Sequence, residues 1–297
     1  MAYLRSQLAQ ARTQRSPQNS KRSQGYRIAL QASGSSQGCN GSQWEGLDRV
    51  AAIESLRPYV ERARHFSGWA FSKDSWRRLG AAPPWDYGSL VREAACSVES
   101  VLDMGTGGGE FLAEVSKSLP DRVVATEEWK VNVPVAKKRL APLGFEVVEC
   151  RSVQLPFKDA SFDLVLNRHE ELEPKEVARV LSPGGRIITQ QVGRDDWKEL
   201  RKHFPRATDW GDHRGQYAHG FQTADLRIVT DLGHDSKVAY ATLGDFVYML
   251  AVTPWTIPEF SLERDIDSLI SLDKECHTVN GLELTESRFL LIAEKPK

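Results

Sequence analysis

Val101-Leu102-Asp103-Met104-Gly105-Thr106-Gly107-Gly108-Gly109-Glu110 is the stretch of this 297-residue chain whose reading decides the fold. A short apolar run that ends in an acid and then in a burst of glycine reads as a buried strand entering a tight turn. Phe111-Leu112-Ala113-Glu114-Val115 opens a helical pattern behind it. Glycine tolerates the positive φ angles of such a turn and leaves its backbone bare, so a ligand can lie directly against it. Asp103 supplies a fixed anion beside that turn. The dinucleotide fingerprint G-x-G-x-x-G fails in both frames: counting from Gly105 puts Glu110 on its last glycine, and counting from Gly107 puts Leu112 there.

Working outward, two further stretches carry information. Leu155-Pro156-Phe157-Lys158-Asp159-Ala160-Ser161-Phe162-Asp163-Leu164-Val165 reads as a loop that delivers Phe162 into the core and then enters a buried strand. Arg179-Val180-Leu181-Ser182-Pro183-Gly184-Gly185-Arg186 reads as a helix end stopped by Pro and Gly before a strand over Arg186–Gln191. Together with D-x-G-x-G-x-G, these motifs resemble the class I S-adenosylmethionine-dependent methyltransferases, in particular the type 11 branch, most densely over residues 100–191. The resemblance implies an α/β fold with a Rossmann-like seven-stranded sheet, mostly parallel with an antiparallel last strand and helices on both faces. It implies that the glycine turn cradles the methionine part of S-adenosylmethionine and that Asp103 holds its amino group. Asp103, Gly105, Thr106, Gly107 and Gly109 are therefore the expected cofactor-binding residues of the turn, with Asn167 at the end of the fourth strand.

Arg122-Val123-Val124-Ala125-Thr126-Glu127 is a second apolar strand ending in an acid, about twenty residues past Gly105, the spacing that brings a carboxylate onto a ribose diol in a βαβ unit. Glu127 is the expected ribose ligand, with Glu128 as the one-residue alternative and Trp129 as a flank for the adenine. At the position after the third strand, where the family usually places an acid for the adenine amine, this chain has Arg151, a pure donor. Ser152 Oγ or a backbone carbonyl has to take that role, and Arg151 is left for an ion pair in the loop.

The fourth strand ends in Asn167-Arg168-His169-Glu170-Glu171. Ligands of open parallel sheets lie beyond the carboxyl ends of the strands, which makes His169 the candidate catalytic acid or base. Gln190 and Gln191 end near the same cleft. The aromatic segment before the core reads as a helical lid, with Trp85 and Tyr87 as the residues that would cover the cofactor. Residues 192–222 read as polar aromatic loops that shape an acceptor pocket. Their His203, His213 and His219 lack metal-ligand spacing, so no metal is expected.

Bulk properties bound the rest. Residues 1–44 carry Arg5, Arg12, Arg15, Lys21, Arg22 and Arg27 and no acid, whereas the chain as a whole holds 39 basic and 40 acidic residues. The body is thus acidic and disfavours a broad nucleic-acid surface. The leader is too polar to bury a core and reads as disorder or an organellar transit segment. The expected organisation is a leader over 1–44, the helical lid over 45–94 and a methyltransferase domain over 95–297. Cys39, Cys96, Cys150 and Cys276 form no paired motif, and reduced thiols point to a cytoplasmic protein, or to a mitochondrion or plastid if the leader is a transit peptide. No stretch is long enough to span a membrane. The expected partner is a small-molecule methyl acceptor, the rivals being an rRNA methyltransferase, a non-catalytic S-adenosylmethionine-binding regulator and a nicotinamide oxidoreductase.

Overall fold

The computed structural model describes residues 48–69 and 76–297, so the leader expected over 1–44, with Cys39, lies outside the described residues. β2 (Ser100–Met104) is buried along its whole length and feeds two cores by strand alternation. Val101 packs beneath α2 (Tyr87–Ala95), α3 (Glu110–Val115) and α4 (Val133–Leu140), with Leu112, Val115 and Leu140. Leu102 and Met104 face the opposite side, where α5 (Pro174–Val180) and α7 (His213–Thr223) contribute Val177, Val180 and Phe221. Each such fully buried apolar side chain contributes about 1.5–3 kcal/mol, so the strand that carries the glycine turn is held firmly from both faces.

β2 pairs in parallel with β3 (Arg122–Glu127) and β5 (Phe162–Arg168), β3 with β4 (Glu146–Glu149), and β5 with β6 (Leu181–Val192). β9 (Gly281–Glu294) is antiparallel to β6 and to β7 (Arg227–Tyr240). The spatial order is β4-β3-β2-β5-β6-β9-β7-β1, with β1 (Trp76–Leu79) on the far edge and the two-residue β8 (His277–Thr278) paired to β9. The sheet therefore has nine strands where seven were expected. The cause is length: β7 and β9 stay paired from Arg227–Glu294 to Tyr240–Leu282, well past the end of β6. The ribbon they form gives an edge to which β1 adds at Lys237–Tyr240.

That ribbon carries its own layer of helices. α1 (Arg49–Ala63), α8 (Leu243–Val252) and α9 (Leu262–Cys276) pack on Val238, Tyr240, Leu282 and Leu284. Of the segment expected as a lid, α1 belongs to this layer, whereas α2 already lies in the sheet sandwich, with Tyr87 buried beneath it. α7 occupies part of the segment read as loops. Asp212 caps it by accepting from Gly215 N at 2.9 Å, and Gly220 lets it approach Pro174 of α5 more closely than any side chain would allow. The expected Ser-Pro-Gly-Gly turn is present as a bulge in β6, where the register jumps from Phe162–Leu181 to Leu164–Arg186.

Candidate active site

From β2 the chain steps outward to β3 and β4 and then crosses back to β5 on the other side of β2, so the order of the sheet reverses at the carboxyl end of β2, where open α/β sheets hold their ligands. Gly105, Gly107 and Gly109 have φ values of 70°, 64° and 78°, as the sequence requires of them. Their N–H groups, expected to be bare, are engaged. Gly105 N donates to Thr126 Oγ1 at 3.3 Å, Thr106 N to Thr126 O at 2.8 Å, Gly107 N to Glu127 Oε2 at 2.7 Å and Gly109 N to Thr106 O at 3.0 Å. The second oxygen of Glu127 accepts from Trp129 N at 2.7 Å. The carboxylate at the end of β3 thus ties the glycine turn to its own strand.

A cavity of about 840 Å³ opens beside the turn. Asp103, Gly105, Thr106 and His169 line it, whereas Gly107, Gly109, Glu127, Ser152 and Asn167 lie behind its wall. Two side chains make that wall: a Cβ on Gly107 would collide with Trp69, and one on Gly105 with Glu170. Glu127 and Ser152 are buried, and Arg151 is turned toward Glu128 at 3.8 Å, the ion pair expected of it. The side chain of Asn167 accepts from Thr189 Oγ1 at 2.8 Å and from Gln191 Nε2, so it joins the ends of β5 and β6. Its Nδ2, buried, has no hydrogen-bond partner among the described residues.

Burial raises the Asp103 carboxyl from 3.8 to about 6, and the Thr106 hydroxyl and the Arg168 guanidinium pull it only part of the way back. His169 moves the other way. Desolvation first, then the charges of Arg288 and Arg168, hold it well below the ordinary histidine range. The ring faces the cavity on a backbone with φ 60°, a conformation costly for a residue with a Cβ. Its hydrogen bonding fixes the tautomer. Trp85 Nε1, which can only donate, reaches Gln190 Oε1 at 2.8 Å, so the amide nitrogen of Gln190 faces His169 Nε2 at 3.2 Å. Nε2 accepts and the proton of the neutral ring sits on Nδ1. Neither Trp85 nor Tyr87 is a free cover: Trp85 orients Gln190, and the Tyr87 hydroxyl is buried, 3.3 Å from the carbonyls of Asn167 and Ile188.

Farther from the turn the cavity floor is ionic. Arg78 Nε donates to Glu286 Oε2 at 2.6 Å and Arg288 to Asp196 at 2.5 Å, both acids lying on the cavity wall. The walls are aromatic, since six of the chain's eight tryptophans line this one space. Among the described residues no three His, Cys, Asp or Glu side chains converge as a metal site, and no helix is long and apolar enough to cross a membrane.

Comparison with known proteins places this geometry. The family model described as a methyltransferase domain matches residues 102–189, from the strand before the turn to the middle of β6. Demethylmenaquinone methyltransferase of Deinococcus radiodurans is 29% identical over 120 residues, covering 37% of this chain and 50% of that protein. The enzyme of the same name from Roseiflexus castenholzii is 28% identical over 156 residues, covering 48% and 64%. The chain therefore spans half to about two thirds of the length of these curated relatives. The crystal structure of a candidate methyltransferase from Bacillus halodurans superposes with a TM-score of 0.54 at 18% identity, over 71% of this chain and 99% of that one, a likeness of fold. The glycine turn, the strand order and the matched segment agree: residues 102–189 match the methyltransferase-domain family and carry its fold.

Proposed function

We propose that the protein transfers a methyl group from S-adenosylmethionine to a small molecule held in the aromatic cavity. The observation that carries this reading is the pairing of Asp103 and Glu127 at the carboxyl ends of adjacent parallel strands, with a turn of three positive-φ glycines between them. When bound, S-adenosylmethionine supplies a methyl already activated on sulfonium, so the protein has chiefly to align the partners.

Asp103, on the cavity wall, is the acid for the donor's ammonium, and Gly105, Thr106, Gly107 and Gly109 shape the turn against its amino-acid tail. Glu127 is the acid for the ribose, and Ser152, or a backbone carbonyl near it, takes the adenine amine. Asn167, with its unpartnered Nδ2, stands at the end of β5 as a further polar contact. A nucleoside that reaches Glu127 has to displace the indole of Trp69 from Gly107. His169 acts in its neutral form. It can take a proton from the acceptor at Nε2 only by giving up its bond to Gln190, so alignment outweighs base catalysis here.

A small acceptor is supported by the enclosed aromatic walls, by the acidic body of the chain and by the names of the relatives. The domain organisation is read as a catalytic sheet with the helices of the β7–β9 ribbon around the acceptor side. A cytoplasmic setting remains part of this proposal. The test is incubation with methyl-labelled S-adenosylmethionine and fractionated extract: label in a small-molecule fraction is expected. Label in RNA or protein alone, or in no fraction, would reject the reading.

A further inference from the structure

Five arginines line the cavity, and four of them are matched by carboxylates. Arg78 holds Glu286 at 2.6 Å, Arg92 holds Glu114 at 3.0 Å, Arg201 holds Asp195 at 3.0 Å and Arg288 holds Asp196 at 2.5 Å. Arg168 is different. It ends β5 exposed to the cavity, next to His169, and among the described residues its side chain makes neither an ion pair nor a hydrogen bond, its charge reaching the Asp103 carboxyl only at longer range. Ring faces position it instead: its guanidinium lies 4.5 Å from the centre of Phe111 and 5.8 Å from that of Tyr87. Stacking of this kind holds the plane of the fork while leaving its edge of N–H donors uncommitted, and that edge matches the two oxygens of a carboxylate. The glycine turn offers less to such a group: the N–H groups of Gly105, Thr106, Gly107 and Gly109 are engaged within the turn and with β3, and Gly108 does not line the cavity.

We propose that Arg168 is the carboxylate-binding residue of this cleft. Two molecules of the proposed reaction can bring the carboxylate: the methyl donor, in its amino-acid tail, and an acceptor that joins a planar ring to an acid, the shape and charge that the aromatic walls and a lone stacked guanidinium together select. The inference rests on the reading of the cavity as a methyl-transfer site, and its test separates the two.

Calorimetry on the full chain provides that test in two arms. The first compares S-adenosylhomocysteine with its decarboxylated analogue, which keeps the ammonium and loses only the acid. The second compares 2-naphthoate with 2-naphthamide, with and without S-adenosylhomocysteine present. In at least one arm the carboxylate is expected to bind about tenfold or more tightly than its neutral twin. Arg168→Met, which keeps an apolar stem over Phe111 and should not alter the melting temperature, is expected to bring that ratio within about twofold, and Arg168→Lys to keep part of it. The arm that responds names the molecule. A wild type without preference in either arm, or a preference that survives Arg168→Met, overturns the proposal. Tight S-adenosylhomocysteine binding indifferent to Arg168 would leave the methyl-transfer reading standing. A naphthoate preference without any nucleoside binding would do the reverse.

Discussion

Asp103 serves two opposed requirements. Its place on a strand buried on both faces fixes it beside the turn, and the same burial raises its carboxyl to about 6, above the 3.8 of an unfolded aspartate. Between those values the folded chain holds a proton that the unfolded chain releases, so ionisation of Asp103 costs stability, and the cost is fully present above about pH 6. Asp103→Asn is therefore expected to raise the melting temperature at pH 8, by up to about 3 kcal/mol of stability, with the gain fading toward pH 4. It is expected at the same time to weaken S-adenosylhomocysteine binding. Thermal melts from pH 4 to 8 check the first expectation; a gain that does not vary with pH would refute it. The residues of the site divide by what creates them. The places of Asp103, the glycines, Glu127 and His169 at strand ends and in the turn were legible because strand ends and turns write themselves into local sequence. The Trp85–Gln190–His169 chain was not, because it joins residues more than a hundred positions apart through the β5–β6 register.

At the scale of elements, Arg179 explains why two of the recognisable stretches belong together. From α5 it donates to Glu176 Oε1 at 2.9 Å, to Asp159 at 3.0 Å and to the carbonyls of Phe157 at 2.6 Å and Leu155 at 3.0 Å, while Glu176 accepts from Leu155 N at 2.9 Å. The loop that delivers Phe162 into the core is thereby clamped to the helix that precedes β6. Arg179→Met is expected to destabilise the protein by about 2–3 kcal/mol, because it leaves two carbonyls and two carboxylates without their shared donor. Chemical denaturation measures this, and a loss below about 0.5 kcal/mol would mean that solvent replaces the clamp. The central strands were readable because burial on both faces writes continuous apolar runs. β7 is not announced in the same way, since a half-exposed strand containing Asp231, Gly233 and Asp235 lacks such a run. α9 was missed although Leu262, Ile266, Leu269 and Leu272 mark a buried stripe behind the capping Ser261.

Over the whole molecule, the sheet and the β7–β9 ribbon divide the work. The parallel half supplies the turn, Asp103 and Glu127. The ribbon, β1 and the connection after α8 supply much of the aromatic and ionic wall of the cavity through Trp76, Arg78, Tyr240, Trp255, Glu286 and Arg288, the part a strand pattern cannot announce because it is assembled from loops and from the far ends of long strands. A ligand that binds only the folded chain raises its stability by RT ln(1 + [L]/Kd), so S-adenosylhomocysteine at a hundred times its dissociation constant should add about 2.7 kcal/mol, and NADH nothing. The most direct measurement is calorimetric titration of S-adenosylhomocysteine into the wild type and into Gly107→Ala, whose Cβ would meet Trp69 on a backbone with φ 64°. Saturable binding at one site per chain, weakened about tenfold or more in the variant, is the predicted result. A folded wild type that gives no binding heat with S-adenosylhomocysteine or S-adenosylmethionine, or a folded variant that binds as the wild type does, would contradict it.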